Sequence, residues 1–179
     1  QWLDSRYEEL LTRHPNWMTR LGRKDRYDEI DDYSEAAEDE KLQWRAATVD
    51  ELKIKFRYSK LSDEARISYD LWIYQYESAK ALATYRRHQY IFTQMDGEQT
   101  LLPGFLIQLH KVDNESDMLA YISRIGGISR AIRQLLERAK LGAAEGVRPP
   151  RFAYKVVIEE AQSLVTGTPF TEDSNQESA

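Results

Sequence analysis

Residues 62–83 read SDEARISYDLWIYQYESAKALA, and whether this stretch is helix or strand decides the fold. Taken alone, Leu71-Trp72-Ile73-Tyr74 has the continuous apolar character of a buried strand. Its surroundings say otherwise. Ser62 followed by Asp63 and Glu64 has the form of a helix start, where a hydroxyl oxygen and negative charge both satisfy free backbone amides. From there Ala65, Tyr69, Trp72, Tyr76, Ala79 and Ala83 recur at three- and four-residue intervals, with no glycine or proline to interrupt them. The length of the pattern predicts a helix. Leu71, Ile73, Tyr74 and Leu82 load its other side, so this helix is expected to lie centrally in a bundle.

Working outward, Ser34 precedes a second pattern, Leu42, Ala46, Val49, Leu52 and Phe56, with Glu35, Glu38 and Asp39 near its start. On the other side, Gln94-Met95-Asp96-Gly97-Glu98-Gln99-Thr100-Leu101-Leu102-Pro103-Gly104-Phe105-Leu106 breaks the run of helical patterns with a constrained segment. Gly97 and Gly104 permit unusual backbone angles, Pro103 fixes its own φ, and Gln99 offers an amide that both donates and accepts. Asp113 or Asn114 then caps a helix whose face runs Met118, Ile122, Ile125, Ile128 or Ser129, Ile132, Leu135 and Ala139. Gly126-Gly127 inside it is expected to mark a kink or a close helix crossing. Gly142 and Gly146 end that pattern, Pro149-Pro150 restarts it, and Ala153, Val157, Ala161 and Leu164 carry a last face until Gly167 and Pro169.

The expectation is an all-α fold, an irregular bundle of long amphipathic helices over residues 1–167, with 168–179 as a polar tail or linker. No fixed repeat of 20 to 50 residues is present. The chain has 179 residues, 25 Lys+Arg against 30 Asp+Glu and a net charge of −5, which argues against nucleic acid or an anionic membrane as partner. Its one compact cationic cluster, Arg86-Arg87-His88, reads as a solvated helix end. Cysteine is absent, which removes disulfides, thiolate metal sites and cysteine nucleophiles together. No apolar run is long enough to span a bilayer. Because the sequence opens at Gln1, a processed or trimmed chain is expected.

The ionisable residues do not fall into a reaction motif. A helical zinc site needs histidines at i and i+4, whereas His14, His88 and His110 are far apart, and a hydrogen-bonded structural role is expected of each. Glu159 and Glu160 are adjacent, about 100° apart on a helix, and are expected to face water rather than act as an acid/base pair. Asp28, Glu29, Asp31 and Asp32 lack the glycine and final glutamate of a calcium loop and suit turn and capping roles. No serine lies in a Gly-x-Ser-x-Gly setting. Most of the eleven Tyr, five Phe and four Trp are spaced for core packing.

Several blocks together carry a resemblance: Asn16-Trp17-Met18-Thr19-Arg20-Leu21-Gly22, Asp25-Arg26-Tyr27-Asp28, Asp31-Asp32-Tyr33-Ser34 and Ser68-Tyr69-Asp70-Leu71 with Tyr74. They continue through Gly97-x-Gln99 to Pro103, the Asp117 to Arg124 helix start with Tyr121, and Gly146-Val147-x-Pro149-Pro150-Arg151-Phe152. In order and spacing they resemble the N-terminal part of the bacterial domain-of-unknown-function family 885. That family looks like zinc-dependent metallopeptidases of the zincin type, many with secretion or lipoprotein leaders. The resemblance implies a parent peptidase, periplasmic or secreted and in some cases lipid-anchored, in which a His-Glu-x-x-His helix and a later carboxylate hold zinc. None of those metal or catalytic residues falls within this sequence, so zinc is implied for the parent and no cofactor for this chain.

What the resemblance implies here is a helical N-terminal region that packs against a catalytic half and forms one wall of a peptide cleft. It would be inactive alone. It would expose apolar surface where that half docks, which also favours a homo-oligomer of the isolated chain. The Gly97–Gly104 segment and the Gly146–Arg151 turn are candidates for touching the cleft, with Gln99, Arg148, Arg151 and Tyr154 polar enough to meet a peptide; simple connection between helices is the equal alternative. The rival function is an autonomous helical interaction or structural module, which predicts a closed core.

Overall fold

The computed structural model describes residues 1–167. The polar tail expected over 168–179, and Pro169 with it, lies outside the described residues. Seven α-helices account for the architecture: α1 (Trp2–Thr12), α2 (Pro15–Arg20), α3 (Glu35–Lys55), α4 (Asp63–Ala83), α5 (Glu98–Leu109), α6 (Glu115–Ala144) and α7 (Arg151–Thr166). Among the described residues there is no strand, and the class is all-α as the spacing predicts.

The helix starts follow from local chemistry. Ser34 Oγ accepts from the Ala37 amide at 3.2 Å and Ser62 Oγ from Ala65 at 3.3 Å, so each hydroxyl satisfies an amide that the first turn leaves free. Asn114, not Asp113, caps α6, its Oδ1 accepting from Asp117 N at 3.0 Å. The short α2 is capped from a distance. Asn16 N donates to Asp31 Oδ1 at 2.9 Å, Asp31 N donates back to Asn16 Oδ1 at 3.3 Å, and Asp32 Oδ1 accepts from Ser34 N at 2.9 Å. The acidic run before Ser34 therefore fills turn and capping roles, one of them on a helix earlier in the chain.

Two apolar assemblies hold the helices. Ile30, Leu102, Phe105, Ala131 and Leu135 form the buried core between α5, α6 and the segment leading into α3. Elsewhere Trp2, Trp44, Trp72 and Phe56 pack edge to face at 5.8–6.3 Å and join α1, α3 and α4. Each of these indoles donates its N–H: Trp2 to Glu51 at 2.7 Å, Trp44 to Glu9 at 3.3 Å and Trp72 to Thr48 at 3.2 Å.

Four expectations need correction. The 94–106 stretch does not interrupt the helices through to Gly104; Gly97 ends the connection and α5 runs from Glu98 through Pro103 and Gly104. The Gln99 side chain curls back over Gly97, where a Cβ would come within 2.1 Å of Gln99 Oε1, so any larger residue at 97 would displace the Gln99 amide. Helix α4 is not central: none of its residues is fully buried, and Ile67 and Tyr74 are each 68% exposed. On α6 the buried stripe is Asp117, Ala120, Arg124, Ala131, Leu135 and Gly142. In the first half of α6 it is turned by one residue from the apolar stripe, which leaves Met118, Ile122 and Ile125 exposed. In the second half Leu135 is buried in the core with Ile128 and Ile132 packed against it, as expected. Finally, Gly127 accommodates the Ile30 side chain rather than another helix, and α6 continues through it.

The Arg86-Arg87 pair is also more engaged than a solvated helix end. Arg87 forms a fork with both Glu35 oxygens at 2.8 Å and reaches Glu145, while Arg86 meets Asp39 at 2.6 Å. The end of α4 is thereby tied to the start of α3 and the end of α6.

Candidate functional site

Helices α1, α2, α3 and α4 bound an open cleft of about 680 Å³, and Trp72, which also packs edge to face on Trp44, lines it. Leu3, Leu10, Leu71, Trp17 and Trp72 supply apolar lining, and Tyr7, Tyr33, Asn16 and Gln75 supply polar edges. Two arginines, Arg20 from α2 and Arg45 from α3, line it as well. The volume is that of a site for a small ligand or a short peptide segment.

The carboxylates and cations of this cleft are unevenly engaged. Asp31 accepts from Asn16 N and lies 3.2 Å from His14 Nδ1, so both its oxygens are used within the fold. Asp4 stands at the rim, its side chain 84% exposed. Arg45 is half-buried and, among the described residues, has neither a hydrogen bond nor an ion pair through its guanidinium; burial pulls its pKa below the ordinary arginine value. Arg20 lies over the Phe105 ring at 5.5 Å and has no carboxylate partner either. Burial, followed by the charge of Glu98, pushes the Tyr33 phenol well above its usual range, so Tyr33 is a neutral hydroxyl that accepts from Asn16 Nδ2 at 3.3 Å. Among the described residues the cleft thus offers two guanidiniums without a carboxylate partner, Arg45 half-buried and Arg20 exposed, beside apolar and aromatic surface.

The structure spreads the sequence candidates over other neighbourhoods. Gln99 is buried, its Nε2 donating to Thr93 O at 2.6 Å and Glu160 at 2.8 Å, while its Oε1 is buried without a partner. Glu160 is therefore a link between α5 and α7, and Glu159 faces outward beside Lys155 at 3.7 Å. Arg148 Nε reaches Ala143 O at 3.4 Å in the turn after α6, and Arg151 is exposed. Tyr154 edges a separate apolar pocket of about 290 Å³ between α6, α7 and residues 89–92. The Gly146–Arg151 turn does not line the large cleft.

The histidines occupy three places. His14 meets Asp31, and His88 lies edge-on to Tyr85 at 5.7 Å. His110 is buried, stacked on Tyr27 at 3.9 Å, with Nε2 2.9 Å from Asp117 O and Nδ1 3.1 Å from Arg124 Nη1. Among the described residues no group of three or more His, Asp or Glu is arranged to hold a metal ion, so these side chains do not fit a zinc site.

Arg20, Arg45 and Trp17 were not singled out from the sequence as site residues, though Arg45 left a visible signal. It lies in register with Leu42, Val49 and Leu52 on the apolar stripe of α3, and its i±3 and i±4 neighbours Lys41, Leu42, Thr48 and Val49 include no acid. A cation placed on such a stripe without an acidic neighbour has its counter-charge elsewhere.

Comparison with known proteins gives one match: a family described as "Bacterial protein of unknown function (DUF885)" matches residues 15–179. No curated protein and no solved structure matches.

Proposed function

The chain belongs to the bacterial family of unknown function DUF885, and on that premise we propose that it is the helical N-terminal region of a zinc-metallopeptidase-type protein. In this reading it supplies one wall of the substrate cleft, and the metal and the catalytic groups lie outside these residues. The observation that carries the proposal is the cleft of α1 to α4, an apolar and aromatic trough with two unpaired arginines and no metal-holding cluster among the described residues. Such a surface suits binding and orientation of a peptide, whose side chains take the apolar lining and whose polar groups meet Arg20 and Arg45.

The exposed apolar faces of α4 and the first half of α6 support the same reading. Ile67, Leu71, Tyr74 and Leu82 on one helix and Met118, Leu119, Ile122 and Ile125 on the other are two exposed apolar faces, each suited to packing against a large partner, here the catalytic half of the parent.

The test is to titrate this chain with short peptides, following the fluorescence of Trp17 and Trp72, and to assay it with added zinc and a fluorogenic peptide. Binding without turnover is the expected result. Turnover by this chain alone, or no binding of any peptide, contradicts the proposal.

A further inference from the structure

We propose that the cleft recognises a carboxylate, so that the peptide class it takes is one with an acidic group, which Arg45 and Arg20 bind. This rests on the reading of the cleft as a peptide-binding wall. Arg45 is half-buried, carries a full charge, and is met by no anion among the described residues. A half-buried guanidinium has lost part of its hydration, and a ligand carboxylate replaces water while accepting two parallel N–H bonds. Arg20 approaches the same cavity from α2.

Neither of the two carboxylates that line the cleft serves instead. Asp31 is held by Asn16 N and His14, and Asp4 is solvated at the rim. The remaining surface specifies what accompanies the acid. Leu3, Leu10, Leu71, Trp17 and Trp72 favour an apolar side chain next to the carboxylate, and the open form of the cleft admits an extended segment. An acidic group in a peptide has two sources, the C-terminus or a Glu or Asp side chain, and both present the same two oxygens.

Three probes separate the possibilities: N-acetyl-Ala-Ala-Leu with a free carboxylate, the same peptide as its C-terminal amide, and N-acetyl-Glu-Ala-Leu amide. Affinities are read by tryptophan fluorescence and by calorimetry in low and high salt. The free acid should bind about tenfold or more tighter than the neutral amide, as expected for a charge-assisted pair, and should lose that advantage in high salt. Arg45→Gln should bring acid and amide within about threefold of each other, the free acid losing more affinity than the amide. Arg20→Gln gives an independent reading with a smaller loss, should Arg45→Gln fail to fold.

If the glutamate-bearing amide binds as tightly as the free acid, the carboxylate of a side chain suffices; if it binds like the neutral amide, the C-terminus is required. Either outcome supports the inference. Equal affinity of acid and neutral amide for the unaltered chain overturns it while the peptide-binding reading stands. Failure of all three to bind overturns both.

Discussion

Arg124 is wholly buried, and its nitrogens bond to Glu29 O at 2.9 Å, Thr19 Oγ1 at 2.7 Å and His110 Nδ1 at 3.1 Å rather than to a carboxylate. Because a guanidinium only donates, His110 Nδ1 must accept, which places the ring proton on Nε2, where it bonds to Asp117 O. One residue on α6 thereby fixes α2, the 19–30 segment and the end of α5, and it requires His110 neutral. Burial, its largest cause, holds the His110 pKa below the ordinary histidine value. The sign follows: an unfolded chain takes up this proton first, so the contribution of His110 is full above about pH 6.5 and is lost as pH falls below it. Urea titrations should show stability declining from pH 7 to pH 5, less so in His110→Gln. The depressed carboxylates, Asp117 beside Lys24 among them, contribute a further loss only below about pH 4. A flat profile between pH 7 and pH 5 would contradict the neutral histidine.

At the scale of the element, two neighbouring glycines in α6 have opposite requirements. A Cβ on Gly127 would stand 2.9 Å from Ile30 Cγ1 and 3.1 Å from its Cβ, whereas one on Gly126 meets nothing within 4 Å. Gly127→Ala should therefore destabilise by about 1–3 kcal/mol through overpacking, and Gly126→Ala should stabilise by up to about 1 kcal/mol through helix propensity, both measured by thermal or urea unfolding. Equal effects would mean that α6 does not pack on Ile30 in this way. The pair also shows what the sequence made legible. Adjacent glycines in a strong helical pattern announced a close approach, but only the tertiary arrangement says that the visitor is a loop side chain and which glycine meets it. Ser34, Ser62, Asn114 and Pro150 were readable because a cap depends on neighbours within one turn. The packing of α4 was not, since apolar residues on both sides state what a helix needs to cover and not whether this chain covers it. The first half of the α6 stripe was misplaced for a related reason: there the buried face carries Asp117 and Arg124, polar residues satisfied by Lys24 and by backbone far away in sequence.

Across the whole molecule, the polar groups and the apolar faces point in the same direction. The core around Ile30, Leu102, Phe105, Ala131 and Leu135 and the aromatic cluster of α1, α3 and α4 hold the helices in place. Outside them remain a cleft with unpaired arginines and two apolar helix faces. The fold class and the membership in the family were legible from helical spacing and from the order of short blocks, each spread along the chain. The cleft was not, because it draws its residues from four helices and its defining property is the absence of a partner for Arg45. Proton–nitrogen correlation spectra, recorded as N-acetyl-Ala-Ala-Leu is added, test the central claim most directly. The account predicts shifts of the Trp17 and Trp72 indole signals and of amides in α1, α2 and the first half of α4; unchanged spectra, or shifts confined to α7 and the Gly146–Arg151 turn, would contradict it.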